Sequence, residues 1–218
     1  MGRGEESNRG RLAAALPGFG HINRYWDRER DQAMAKILPG EYYVTTGDEL
    51  IGTVLGSCVS ACVRDRLFGI GGMNHFMLPM NREDGGGWGG RELISSATRY
   101  GNYAMEHMIN DILKHGAVRS NLEVKLFGGA RIIAGMSDVG QRNIEFVRDY
   151  LRVENLNLVA EDLGGIYPRK IVYEPRTGKV QLKRLHSPNN DRIVKRETRY
   201  SETLGKDDVA GDIELFTD

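Results

Sequence analysis

Between residues 38 and 185 the apolar positions follow two rhythms. Short β-branched and aromatic runs come first. Glu41-Tyr42-Tyr43-Val44-Thr45-Thr46 reads as a strand, residues 50–55 as a second, and residues 59–63 as a third beyond a Gly56-Ser57 turn. Residues 68–78 are apolar but carry Gly69, Gly71 and Gly72, the mark of a strand with a bulge or a close backbone approach. The period then changes. Leu93, Ala97, Tyr100, Ala104, Met108 and Ile112 recur at spacings of three and four, which predicts a long helix with one apolar face, ended by Gly116. Residues 122–127 return to strand and close on Gly128-Gly129-Ala130. A second helix is predicted over 139–152, with Asp138 and Gln141 as a capping box and Ile144, Val147 and Leu151 as its buried stripe. Residues 157–160 form a short strand and Gly164-Gly165 a turn. Residues 170–173 and 179–185 pair as a hairpin through Glu174-Pro175-Arg176-Thr177-Gly178. Two helices among about seven or eight short strands give an α/β or α+β domain, and the hairpins imply mixed rather than purely parallel pairing.

The flanks are different in kind. Residues 1–37 are polar and charged, with Tyr25 and Trp26 as their bulky anchors, and read as an arm. Residues 186–218 are charged and poor in apolar side chains until Ile213-Glu214-Leu215-Phe216, and read as a largely disordered tail. The 218 residues therefore divide into an arm (1–37), one substantial domain (38–185) and a tail (186–218). Charge narrows the functions. Lys plus Arg is 30 and Asp plus Glu is 30, so no overall basic field points to nucleic acid. No apolar stretch approaches the length of a membrane span, and the N-terminus lacks a signal-peptide core, so a cytoplasmic protein without direct membrane insertion is expected. Cys58 and Cys62 are the two cysteines, a usage that fits a reducing compartment.

Candidate chemistry centres on Cys58 in Thr53-Val54-Leu55-Gly56-Ser57-Cys58-Val59 and on His75 in Gly72-Met73-Asn74-His75-Phe76-Met77-Leu78-Pro79. A thiol of ordinary pKa, roughly 8.5, is mostly protonated at neutral pH, and an adjacent imidazole supplies the base and later the acid that acyl transfer needs. The Gly56-Ser57 turn can aim successive backbone N–H groups at one point, donors worth about 2.7–4 kcal/mol each to a tetrahedral oxyanion. The hydroxyl of Ser57 or Thr53 can orient His75. On the tripeptide alone, a buried structural cysteine is the simpler account of Cys58, and the same account is taken for Cys62 inside its strand. A Cys-x-x-x-Cys metal pair would need further ligands, and His75, His107, His115 and His186 offer no standard spacing. Gly128-Gly129 reads as close strand-to-helix packing rather than a phosphate loop. Lys195-Arg196-Glu197 reads as solvated charge.

Four blocks in order resemble the CheD family of chemoreceptor glutamine deamidases: the Cys58 run, the His75 run, Lys125-Leu126-Phe127-Gly128-Gly129-Ala130, and Gly140-Gln141-Arg142-Asn143. Ala160-Glu161-Asp162-Leu163-Gly164-Gly165 and the Thr177-Gly178 hairpin extend the resemblance over about residues 38–185. The resemblance implies a three-layer α/β sandwich with mixed sheets and two main helices. It implies hydrolysis of receptor glutamine side chains to glutamate without metal or organic cofactor. It also implies methyl-accepting chemotaxis receptors as the protein substrate and, in some members, a CheC-like phosphatase as partner. Cys58 corresponds to the family nucleophile and His75 to its base. The family threonine stands six residues before the cysteine, where this chain has Gly52; Thr53, beside it, is the candidate replacement. A non-catalytic adaptor that binds receptors or a CheC-like phosphatase is the competing expectation, motivated by that displaced threonine and by the polar arm and tail.

Overall fold

The computed structural model describes residues 12–79, 90–132, 139–186 and 191–204. Two five-stranded sheets organise them. The first runs in the order β1 (Asn23–Asp27), β2 (Gln32–Lys36), β4 (Glu49–Leu55), β9 (Arg169–Glu174), β10 (Lys179–Arg184). Its β2–β4 pair is parallel and the other pairs are antiparallel. The second runs β3 (Tyr42–Thr45), β6 (Gly71–Asn74), β5 (Val59–Asp65), β7 (Leu122–Gly128), β8 (Asn157–Leu163), with only β7–β8 parallel. Helices α1 (Gly90–Lys114) and α2 (Val139–Val153) lie against this second sheet. A third helix, α3, spans Asp191–Leu204. Both sheets being mixed and the helices being segregated make this an α+β fold.

The second sheet sits between helices and the first sheet, which explains why β5 is apolar on both faces. Val63 pairs with Gly72, and a Cβ on Gly72 would meet Met108 Cγ of α1 at 3.4 Å, so this face looks at the helix. Cys62 and Met73, one residue along, therefore look at the first sheet. Met105, Met108, Ile109 and Ile112 give α1 its buried stripe; Met108 and Ile112 belong to it as expected, Tyr100 and Ala104 are only half-buried, and the side chains of Leu93 and Ala97 lie outside the described residues. Ile144, Val147 and Leu151 do the same for α2, as expected. The other half of its capping box, Asp138, lies outside the described residues, as do residues 81–89 of the glycine-rich loop.

Two expectations differ from the structure. Residues 23–36, read as part of an arm, form the β1–β2 hairpin and complete the first sheet, where Arg24 pairs with the buried Glu49 at 2.8 Å. Residues 191–204, read as disordered tail, form α3. Its inward side carries Glu197 and Ser201, with Tyr200 and Leu204 packed on the core. Residues 205–218 lie outside the described residues.

Candidate active site

The site lies at one end of both sheets. Thr53 is on β4, Cys58 follows the Gly56-Ser57 turn, and His75 is the first residue after β6. A short antiparallel bridge joins Val59 to Phe76, with N···O distances of 3.0 and 2.9 Å, and so ties the residue after the thiol to the residue after the imidazole. The His75 backbone is fixed on its other side by bonds to Glu41 O and from Gly40 N. Asn143 of α2 completes the frame. Its amide donates to Ser57 O at 2.9 Å, while its oxygen accepts the Leu78 N–H at 2.8 Å. One buried side chain thus couples the Cys58 turn to the His75 segment.

The glycines of the third block have a specific role. Gly128 has φ +113°, and a Cβ there would lie 2.1 Å from Cys58 O. Gly129 donates to that same oxygen at 2.8 Å and presses against α2, where its Cβ would meet Ile144 at 2.6 Å. Close packing of strand to helix, expected from the sequence, is joined here by close packing against the Cys58 turn itself.

Thr53 and Gly52 take opposite faces, as strand geometry requires. A Cβ on Gly52 would look toward Met34 and Val172, on the outer side of the first sheet. Thr53 looks inward, and its hydroxyl is 2.8 Å from His75 Nδ1. That hydroxyl donates its one proton to Ile37 O at 2.9 Å. It must therefore accept from His75, which places the imidazole proton on Nδ1 and leaves a lone pair on Nε2. Nε2 is buried and hydrogen-bonded to nothing among the described residues. Ser57, the other hydroxyl considered for orienting His75, points elsewhere.

It points to Glu197, the residue that sequence reasoning missed. This carboxylate on α3 is wholly buried. It accepts the Gly56 N–H at 2.7 Å, the Ser57 N–H at 2.8 Å and the Ser57 hydroxyl at 2.7 Å. Cys58 Sγ, a ring nitrogen of His75 and a Glu197 oxygen all lie within 4.8 Å of one another. Thiolate, imidazole and carboxylate are donor types that zinc accepts. Both Glu197 oxygens are, however, already engaged by N–H and O–H donors, as a carboxylate in an anion cradle would be. Burial raises the Cys58 thiol well above its ordinary range; the Glu197 charge pushes it further the same way and Arg196 opposes. Burial lowers His75 to about 3, with the Arg196 charge adding to the effect. In this arrangement both groups are neutral at pH 7. The missed signal was a spacing: Ile193, Glu197, Tyr200 and Leu204 recur at three and four, with the acid on the inward face.

Comparison with known proteins adds the family. A protein of Hahella chejuensis named probable chemoreceptor glutamine deamidase CheD is 58% identical over 202 residues, covering 93% of this chain and 94% of its own. The chain belongs to the CheD family. A like-named relative from Halorhodospira halophila is 56% identical over 99% of this chain and 100% of its own, and one from Janthinobacterium is 56% identical over 89% and 95%. The family model described as CheD chemotactic sensory transduction matches residues 77–184. Among the described residues of this CheD-family chain, no helix is long and apolar enough to cross a membrane.

Proposed function

We propose that this chain is a chemoreceptor glutamine deamidase in which Cys58 is the nucleophile, His75 the base and Thr53 the residue that holds His75 in its reactive tautomer. The observation that carries the reading is the Thr53–His75 bond beside Cys58, in a chain whose relatives bear that name. It favours catalysis over the adaptor reading, because an adaptor has no use for an imidazole held with one nitrogen unpartnered among the described residues and a ring nitrogen within 4.8 Å of a thiol.

The reaction follows from the groups present. His75 Nε2 takes the thiol proton as Cys58 Sγ bonds to the glutamine Cδ, giving a tetrahedral oxyanion. The Gly56 and Ser57 N–H groups, with the Ser57 hydroxyl, supply donors for that oxygen. The C–N bond breaks and the imidazolium returns its proton to the leaving ammonia. Water then attacks the thioester with His75 as base, the C–S bond breaks, and glutamate and the free thiol remain. Burial keeps His75 neutral at pH 7, the form in which Nε2 can accept the thiol proton.

The substrate is a receptor side chain, with the work done on the cytoplasmic side; a CheC-like phosphatase as regulatory partner belongs to the same proposal. The test is mass spectrometry of chemoreceptor cytoplasmic fragments after incubation with wild type and with Cys58→Ala. Wild type is expected to convert specific glutamines to glutamate and the variant none. Equal conversion by both removes Cys58 from the mechanism, and conversion by neither favours the adaptor.

A further inference from the structure

Cys58 and His75 have no exposed surface, so no receptor side chain reaches them in this arrangement. The element lying on them is α3. It docks over two backbone positions that lack a side chain: a Cβ on Gly56 would meet the Glu197 oxygens at 2.8 and 2.9 Å, and one on Gly40 would meet the Tyr200 hydroxyl at 2.7 Å. Arg196 donates to Val54 O at 2.5 Å, and the Tyr200 and Tyr100 hydroxyls bond to each other. The group α3 delivers is the side-chain carboxylate of a glutamate. It sits on the donors described above and within 4.8 Å of the thiol. Chemically it is the product of the proposed reaction.

We propose that α3 is an intramolecular plug, in which Glu197 occupies the position of the product carboxylate and must withdraw before a receptor glutamine enters. This rests on the deamidase reading for what Glu197 imitates, though not for the occlusion itself. Helix α3 has 14 residues, a length at which an isolated helix is marginal, so its order depends on this docking. Six residues separate β10 from α3, and a tether that short holds Glu197 at an effective concentration on the order of millimolar. Substrate affinity is lowered by the fraction of molecules that are closed. The negative charge of the plug also opposes thiolate formation at Cys58, so withdrawal opens and activates the site together.

The test uses the full chain and the two buried cysteines. Iodoacetamide labelling at neutral pH, mapped to Cys58 and Cys62 by peptide mass spectrometry, is compared in wild type, Glu197→Ala and Arg196→Ala. The plug predicts Cys58 labelling faster by about tenfold or more in Glu197→Ala, the factor that one pKa unit is worth to a mostly protonated thiol, and a smaller acceleration in Arg196→Ala, which undocks α3 but also removes a charge that favours the thiolate, with Cys62 unchanged in both. It also predicts a lower KM for receptor fragments in Glu197→Ala. Cys58 rates equal to wild type in both variants overturn it, as does parallel acceleration of Cys58 and Cys62 in both. A Glu197→Gln chain separates the two proposals. Conversion of the introduced glutamine to glutamate, lost on adding Cys58→Ala, supports plug and chemistry together. An introduced glutamine that persists in a protein active on receptors overturns the product placement alone. Faster Cys58 labelling without any deamidation leaves the plug standing and sinks the deamidase.

Discussion

Cys58 and Cys62 stand four residues apart, both buried in the core, and burial raises the thiol pKa of each. Their surroundings diverge. Cys62 lies mid-strand with its neighbours paired on both sides, facing the first sheet, and the charge of Lys125 partly offsets its burial. Cys58 lies where pairing stops. Its turn leaves the N–H groups of Gly56 and Ser57 without strand partners, and His75, Thr53 and Glu197 converge there. A thiol becomes a candidate nucleophile through what the broken ladder leaves around it. Depth of burial does not separate the two.

The contrast is open to attack by paired measurements. His75→Gln should lower kcat/KM on receptor fragments by about 10²–10⁴, the usual contribution of a positioned base, whereas Lys125→Gln and Cys62→Ala should leave activity near wild type. A comparable loss in the Cys62 pair would erase the distinction.

Acid comes next. In the unfolded chain His75 takes a proton near 6.5, and in the folded protein only near 3. Between those values the unfolded state holds the extra proton. The stability His75 contributes is complete above pH 6.5 and is lost as pH falls toward 3, by at most about 1.4 kcal/mol per pH unit. Denaturant titrations at about pH 7, 5.5 and 4 should show a steeper decline for wild type than for His75→Gln, and no change of slope for Cys62→Ala.

Asn143→Ala should cost about 2 kcal/mol in the same assay, because it strands Ser57 O and Leu78 N in the interior. It should also slow turnover, since the frame that couples the thiol turn to the imidazole is lost. Smallest is Thr53→Val, expected to cost about tenfold in kcat, roughly 1.4 kcal/mol, by releasing the His75 tautomer. Thr53→Ser should recover most of it, and a Ser variant as poor as Val would make the contact one of packing only.

What the sequence made legible followed from local regularity. Strands β3 to β5, β7 and the β9–β10 hairpin carry alternation or turn residues, and α1 and α2 carry a helical period. Strand β1 does not: Asn-Arg-Tyr-Trp-Asp sits at a sheet edge and buries little, so nothing marks it but its two aromatics. The Cys58–His75 pair was visible as candidate chemistry, with Thr53 the candidate for the displaced family threonine; neighbours on a strand face opposite ways, and sequence alone does not say which of Gly52 and Thr53 faces inward. In the structure Gly52 is the position that faces outward and Thr53 the one beside His75. Glu197 was hidden for a different reason. Its partners are backbone N–H groups 140 and 141 positions away, which no local composition announces, and its own neighbours Lys195 and Arg196 disguise it as surface.

The Val59–Phe76 bridge has a consequence for how this chain can vary. Thiol and imidazole are seventeen positions apart in sequence, yet their separation is set across the ladder, one step from each side of that bridge. The intervening β5–β6 hairpin contributes only its stems. Its tip, with Leu67 and Phe68 exposed and the Asp65 carboxylate gathering their N–H groups, lies at the far end of the strands. Lengthening the tip, or grafting a reporter into it, leaves thiol and imidazole in register; a single residue added between Cys58 and Val59 does not.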